Sequence, residues 1–267
     1  MNLSVSNIAW SVDEDLAAYS ILRTHQVSHI EVAPTRIRPN WPDITSKAVR
    51  DYRDQLETEG FVVSSLQAIL FGRPELQLFG DQEAFRSHLE RCAGIAAELG
   101  AAAVVFGAPK NRLKGALPTE EALSKAADFF TSVAPAFESS HARLCIEPNP
   151  AEYGGDFLTG VAEAAALVSA VNHPSVRLHL DTACLSLSGS DAHAVRKYAA
   201  LTSHFHASEP FLAPLSRPSL DHRSFAEELR SSGYDKFVCL EMRAKPDTLK
   251  EFTESLRQFR EFYGTTL

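Results

Sequence analysis

The sequence predicts an α/β fold, a single (β/α)8 TIM barrel that occupies residues 1–267. Strand-like and helix-like runs alternate from end to end, and no linker rich in glycine, serine or proline divides them. Strand ends recur at a nearly constant interval: the 233 positions from Ile8 to Glu241 hold seven units of about 33 residues, the length of one strand–helix–strand step. The chain has 267 residues, 45% of them hydrophobic. A barrel of this kind needs about 250 residues.

Eight short runs predict the strands, and each leads into a loop-like stretch. Their end residues are, in chain order, Ile8, Glu31, Gln67, Val105, Glu147, Asp181, His206 and Glu241. The last four runs are RLCIE, VRLHLD, SHFH and KFVCLE. All four end in an acidic or imidazole side chain, so we expect the functional site to be built by the second half of the chain.

The segments between the strands carry the period of amphipathic helices. One apolar stripe follows an N-cap candidate at Thr119 and consists of Leu123, Ala126, Ala127, Phe130, Val133, Ala134 and Phe137. Another precedes a helix stop at Gly264 and consists of Leu249, Phe252, Leu256, Phe259 and Phe262. A closed barrel is favoured over an open doubly wound sheet, because such a sheet usually carries a glycine-rich phosphate turn and NIAWSVDED has none.

Composition disfavours several classes of protein. With 26 basic and 34 acidic residues the formal charge is -8, which repels a nucleic-acid backbone. No apolar stretch reaches the roughly 18 residues of a membrane span, and no leader-like segment opens the chain, so we expect a soluble cytoplasmic protein. The four cysteines form no CxxC pair and are interpreted as small apolar core residues.

Glu147, Asp181, His206 and Glu241 are the candidate ligands of one divalent metal ion. The carboxyl ends of barrel strands meet at one face, so side chains that end four consecutive strands can converge there. Three carboxylates and one imidazole, without a thiolate, suit Mn²⁺, Mg²⁺ or Co²⁺, and Zn²⁺ is a further candidate. Any one of them alone can simply cap a strand, but four in succession favour a shared site.

Two histidines lie one layer below these ligands. Because successive side chains of a strand point to opposite faces, His179 shares a face with Asp181 and His204 shares one with His206. Both are candidates for the binding site. A neutral histidine that hydrogen-bonds beneath a metal site is commoner than a further ligand, so they are interpreted as supporting residues.

Further substrate-binding candidates lie near the ends of the other strands. Glu31 and Gln67 are candidate hydrogen-bond partners of a substrate, or else loop anchors. Lys110 and Arg112, in PKNRLKGALP, are candidates to hold a phosphate or carboxylate, although such a loop is usually a solvated surface. Trp10 is either a wall against a sugar ring or a core residue.

The ligand set predicts proton transfer at a carbon beside a carbonyl. A cation chelated by the carbonyl and a neighbouring hydroxyl lowers the pKa of the C–H bond between them by stabilising the enediolate. Two carboxylates on opposite faces of that carbon can then exchange its proton. Return to the other face is epimerisation, and return to the adjacent carbon is aldose–ketose isomerisation.

IEPNP, HLDTA, HFHASEP and LEMR, in this order, resemble the xylose isomerase-like TIM barrel superfamily, a group of sugar phosphate isomerases and epimerases, over essentially the whole chain. The resemblance implies that Glu147 and Glu241 both bind the metal and flank the reacting carbon, while Asp181 and His206 complete the coordination. Glu209 matches the His-x-x-Glu element of ketose epimerases. The resemblance also implies a homodimer or homotetramer.

Cys184 and Leu212 depart from the ketose epimerases, which usually have a histidine and an arginine there in contact with substrate. The resemblance therefore does not extend to a free ketohexose as substrate. We expect a divalent-metal-dependent isomerase or epimerase of a small sugar or sugar derivative. The alternatives are a dehydratase or lyase of the inosose or dehydroshikimate type, and a non-catalytic sugar-binding barrel.

Overall fold

Eight parallel strands close into a ring in the computed structural model, which describes residues 1–244 and 248–264. The strands are β1 (Asn2–Ser6), β2 (His29–Val32), β3 (Val62–Leu66), β4 (Ala103–Phe106), β5 (Arg143–Ile146), β6 (Val176–Asp181), β7 (Thr202–Ser208) and β8 (Phe237–Glu241). Each pairs with its neighbours along the chain, and β1 pairs with β8 to complete the ring. The predicted (β/α)8 TIM barrel is confirmed.

The apolar runs in the sequence predict the positions of the strands closely. Each predicted strand end lies within two residues of the end in the structure, and β6 and β8 end at the predicted residues Asp181 and Glu241. Ile146, Leu178 and Phe205 are fully buried because the strands are covered on both sides, by the barrel interior and by the helices.

Helices pack around the ring. The described ranges contain α1 (Asp15–Thr24), α2 (Ser46–Thr58), α3 (Gln82–Leu99), α4 (Thr119–Ser139), α5 (Val161–Val171), α6 (Thr182–Leu187), α7 (His193–Tyr198), α8 (His222–Ser231) and α9 (Thr248–Tyr263). Helix α3 has clear ends: the Asp81 carboxylate accepts hydrogen bonds from two backbone N–H groups of its first turn, and Gly100 ends it at φ 72°. Helix α4 begins at Thr119, so the predicted N-cap is wrong by one position: Pro118 is the N-cap and Thr119 is the first helical residue. The predicted stripe faces the core through residues such as Phe130 and Phe137.

The loops that follow the strands all lie at one end of the ring, the carboxyl end. The longest one connects β3 to α3 through residues 67–81. This end therefore holds both the predicted ligands and the segments able to enclose a substrate. Within residues 1–244 and 248–264, no helix combines the length and hydropathy needed to cross a bilayer.

Candidate active site

A cavity of about 980 Å³ opens at the carboxyl end of the barrel, and the four predicted ligands all line it. Facing oxygen and nitrogen atoms of Glu147, Asp181 and His206, together with His179, lie within 4.8 Å of one another. Oε2 of Glu241 lies 3.3 Å from Nδ1 of His206. The four strands thus bring the predicted ligands to one place.

Asp181 is fixed by its position between a strand and a short helix. It ends β6 and is the N-cap of α6, where its Oδ1 accepts a hydrogen bond of 2.7 Å from the backbone N–H of Cys184. Its Oδ2 accepts another, of 2.5 Å, from the hydroxyl of Ser208. The side chain is 2% exposed. Both oxygens are therefore oriented before any ligand arrives.

Glu147 enters the site through a gap left by a glycine. An added Cβ on Gly107 would lie 1.6 Å from Oε2 of Glu147 and 2.8 Å from its Cδ, so only glycine permits this position. The backbone of Glu147 is held by Arg112, whose Nη2 donates to its carbonyl oxygen at 2.8 Å and to Oδ1 of Asn149 at 2.9 Å. Arg112 is fully buried, and burial lowers its pKa to about 10.

His206 is oriented by Glu31 from the opposite side of the ring. Its Nε2 lies 3.0 Å from Oε1 of Glu31, while its Nδ1 faces Glu241 at 3.3 Å without forming a hydrogen bond. The pKa of His206 would be lowered by burial, but Glu31 and Glu241 outweigh that effect and raise it well above its usual value. Burial likewise acts to raise the pKa of Glu31, and His206 and His204 hold it well below its usual value.

Three carboxylates in one cavity repel each other unless a positive charge lies among them. Burial and the neighbouring Asp181 raise the pKa of Glu147 to about 8, and burial, with Asp181 and Glu31, also raises the pKa of Glu241. Nδ1 of His206 is buried there without a hydrogen-bond partner. Oxygen-rich clusters with one imidazole are donor sets that divalent cations prefer, and a cation would satisfy the charge and the unpartnered nitrogen together. The residues fit a metal ion.

A polar layer lies beneath the ligands, where barrels more often have branched apolar residues. Glu31 accepts hydrogen bonds from Ser65 at 2.8 Å and pairs with His204 at 2.9 Å, and all three side chains are fully buried. Cys239 lies 3.5 Å from Glu31 through its thiol. This layer holds the imidazole of His206 in place from below.

The remaining predicted residues divide into two groups. Trp10, Gln67 and Lys110 line the cavity. Trp10 also belongs to the core: it is 1% exposed, packs on Tyr19 and donates its indole N–H to Asp15. The second group consists of predicted site residues that do not line the cavity: Glu31, Arg112, His179, His204 and Glu209.

Glu209 is buried in a network behind the cavity. Its carboxylate lies 2.8 Å from Nε2 of His222 and accepts a hydrogen bond from the backbone N–H of Ser219. Burial acts to raise the pKa of Glu209, but the hydrogen bonds from His222 and Ser219 lower it overall. These contacts connect the start of the loop after β7 to its end, and so stabilise the conformation of that loop.

Sequence reasoning missed several residues that complete the site. Gly107 makes room for Glu147, Ser208 holds Asp181, and Asn149 connects Arg112 to the loop after β5. Ser208 lies two positions after His206 on the same face of β7, so its spacing was a usable indication. Nothing in the local sequence marked Gly107. Further cavity residues that went unassigned are Arg36, Arg73, Tyr153 and Arg243.

Comparison with known proteins agrees with this geometry. The sequence model of the xylose isomerase-like TIM barrel family matches residues 21–262. The chain belongs to this family. A search of curated proteins gave no sequence match.

Solved structures of other family barrels superpose over nearly the whole chain. D-psicose 3-epimerase from Clostridium cellulolyticum H10, solved with D-tagatose, has a TM-score of 0.81 at 13% identity, with 99% of this chain and 100% of that one covered. The 3-keto-D-glucoside 4-epimerase from E. coli has a TM-score of 0.77 at 16% identity, with coverage of 98% and 99%. A probable 3-DHS dehydratase from Bacillus anthracis has a TM-score of 0.73 at 14% identity, with coverage of 96% and 98%. At these low sequence identities the superpositions show a shared fold and nothing finer.

Proposed function

We propose that this protein is a divalent-metal-dependent isomerase or epimerase of a small sugar or sugar derivative. The observation that carries the proposal is the convergence of Glu147, Asp181, His206 and Glu241 in one cavity, where oxygen atoms and one imidazole nitrogen lie close enough to share a divalent cation. Sugar epimerases among the structural neighbours agree with it. The metal is Mn²⁺, Mg²⁺, Co²⁺ or Zn²⁺ in this proposal.

Glu147, Asp181, His206 and Glu241 would hold the metal ion. A divalent cation at this position supplies Lewis-acid polarisation of a substrate carbonyl, which acidifies the neighbouring C–H bond. Both carboxylate oxygens of Asp181 already accept a hydrogen bond from the protein, so Asp181 is proposed to bind the metal and not to transfer a proton. His206 presents Nδ1 to the site while its Nε2 is engaged by Glu31.

Glu147 and Glu241 are the proton-transfer residues in this proposal. Glu147 directly follows β5 and Glu241 ends β8, so they stand on different sides of the ring, and both residues line the cavity. One removes the proton from the substrate carbon and the other returns a proton, either to the opposite face or to the adjacent carbon.

Other residues would position the substrate or the site. Gln67 and Trp10 line the cavity and are proposed to contact the sugar. Lys110 is exposed, lines the cavity and is proposed to bind an anionic substituent. Arg112 and Glu209, both buried, are proposed to act through the loops that they hold.

Solvent exchange tests the function directly. Metal-loaded protein is incubated in D₂O with a panel of ketoses, aldoses and their phosphates, and deuterium at the carbon beside the carbonyl is followed by NMR. We expect exchange with at least one sugar, and a loss of about 10²–10⁴-fold in Glu147→Gln and Glu241→Gln. Glu152→Gln is the matched control, because Glu152 is exposed on the loop after β5 and does not line the cavity.

Two results would contradict the proposal. One is the lack of metal-dependent exchange with every sugar of the panel. The other is exchange that persists in both glutamine variants at the rate of the Glu152 control. Stoichiometric metal in the purified protein supports an enzyme, whereas a protein that binds sugar without metal supports a non-catalytic barrel.

A dehydratase of the dehydroshikimate type is the second candidate, and the structural likeness to the probable 3-DHS dehydratase favours it. The same carboxylates would remove the proton, and a β-hydroxyl would then leave as water. The product carries a conjugated carbonyl, so a new ultraviolet absorbance that grows with substrate consumption separates this reaction from epimerisation.

A further inference from the structure

The buried atoms without hydrogen-bond partners gather at the metal site. Among the described residues, five buried side-chain nitrogen or oxygen atoms have no partner, and three of them belong to His179 and His206. Such atoms are rare because burial removes their hydrogen bonds to water without replacing them. For Nδ1 of His206 the cation of the proposed function would be the missing partner. His179 needs an explanation of its own, since both of its ring nitrogens are unpartnered and its side chain is fully buried.

His179 and His204 hold equivalent places on β6 and β7 but differ in their contacts. Their backbones are register partners, and each lies two residues before a predicted ligand. Nε2 of His204 lies 2.9 Å from Glu31, and its Nδ1 accepts a hydrogen bond of 2.8 Å from the backbone N–H of Phe205. His204 is therefore fully satisfied by protein atoms. His179 has no such partner, although the same polar layer surrounds it.

The imidazole of His179 lies against the ligands. Its Nε2 is 3.6 Å from Oε1 of Glu147, and its ring centre is 4.2 Å from that of His206 at 75°. Donor atoms of His179, Glu147, Asp181 and His206 lie within 4.8 Å of one another. Metal–ligand bonds of about 2.0–2.2 Å allow donors across one cation to stand roughly 4 Å apart. His179 is thus within reach of the position that its neighbours share.

We propose that His179 is a fifth ligand of the metal ion, through Nε2, and this rests on the metal site of the proposed function. The site would then offer two imidazoles and three carboxylates. A second nitrogen donor favours borderline cations such as Co²⁺ and Zn²⁺ over Mg²⁺, which prefers oxygen. The histidine at this position therefore sets which metal the protein selects.

The test compares two variants of His179 in the metal-free protein titrated with Co²⁺ and with Mg²⁺. His179→Leu removes the donor, and His179→Gln keeps a hydrogen-bonding group able to reach Glu147. We expect Co²⁺ to bind about tenfold or more weakly to both variants, with Mg²⁺ affinity changed much less, and the visible Co²⁺ absorption band to shift as a nitrogen ligand is lost. Circular dichroism and thermal unfolding establish that each variant is folded.

The glutamine variant separates a ligand from a hydrogen-bond donor. If H179Q restores the Co²⁺ affinity and absorption of the unaltered protein, His179 only positions Glu147 and the proposal is overturned. The same holds if H179L binds Co²⁺ with unchanged affinity and spectrum. Failure of the metal site as a whole has a different signature, because Asp181→Asn and His206→Gln would then also leave Co²⁺ binding unchanged.

Discussion

Replacement of Gly107 by alanine is expected to remove Glu147 from the metal site without unfolding the barrel. The new Cβ would lie 1.6 Å from Oε2 of Glu147, and contacts under 3.0 Å essentially do not occur, so the oxygen must move by about 1.4 Å or more. Metal–ligand distances tolerate only about 0.2 Å. The glutamate can swing into the cavity, which leaves the core unchanged. We expect metal affinity to fall by about 100-fold or more, or ~2.7 kcal/mol.

The assay is isothermal titration of the metal-free protein with Mn²⁺, supported by metal analysis after dialysis. Gly94→Ala is the matched control, since an added Cβ at Gly94 meets nothing within 4 Å and this glycine lies inside α3. That variant should bind metal normally and be more stable by about 0.5–1 kcal/mol. If Gly107→Ala protein binds one Mn²⁺ with unaltered affinity, the glycine is not needed for the position of Glu147.

Three further changes test the site. Because burial and Asp181 raise the pKa of Glu147 to about 8, and Glu31 and Glu241 raise the pKa of His206, metal must displace protons from both groups below pH 8, so metal affinity should fall about tenfold or more per pH unit there; a constant affinity from pH 8 to 6 would contradict this. Glu31→Gln should weaken metal binding about 10–100-fold, measured by Co²⁺ titration, because it removes the carboxylate that orients His206; unchanged binding would refute that role. Lys110→Gln should lower the ratio of kcat/KM for a phosphorylated sugar over its free form about tenfold, whereas Lys114→Gln, outside the cavity, should not; equal ratios in both would oppose the proposal.

Strand positions were predictable from the sequence because strands that are buried on both faces consist mostly of apolar residues and so form short apolar runs. The convergence of Glu147, Asp181, His206 and Glu241 was predictable for a topological reason. Once the strands alternate with helices, their carboxyl ends must meet at one face, whatever the details of packing.

Side-chain directions near strand ends were less predictable. The sequence made Glu31 a candidate partner of the substrate, but its carboxylate lies in the polar layer, where it contacts His204 and His206 on β7. The local sequence around Glu31 contains no sign of these contacts, because β7 lies more than 170 positions later in the chain. Arg112 stands in a loop of charged residues that suggested a surface, yet its guanidinium is fully buried among backbone carbonyl oxygens.

The difference between His179 and His204 was also outside what the sequence contains. Both lie two residues before a ligand on neighbouring strands. His204 is satisfied through Glu31, which is 173 positions away in the chain. Contacts of that separation exist only once the ring has closed, so the histidine without a partner becomes visible only in the folded structure.

The proposed function requires that Glu147, Asp181, His206 and Glu241 hold one cation. The most direct measurement is a crystal soaked with Mn²⁺ and examined by anomalous scattering. We expect a single strong peak about 2.0–2.3 Å from oxygen atoms of the three carboxylates and from Nδ1 of His206. A crystal with full access to Mn²⁺ and no peak among these four side chains, or with its peak at a different place in the protein, would contradict the proposal.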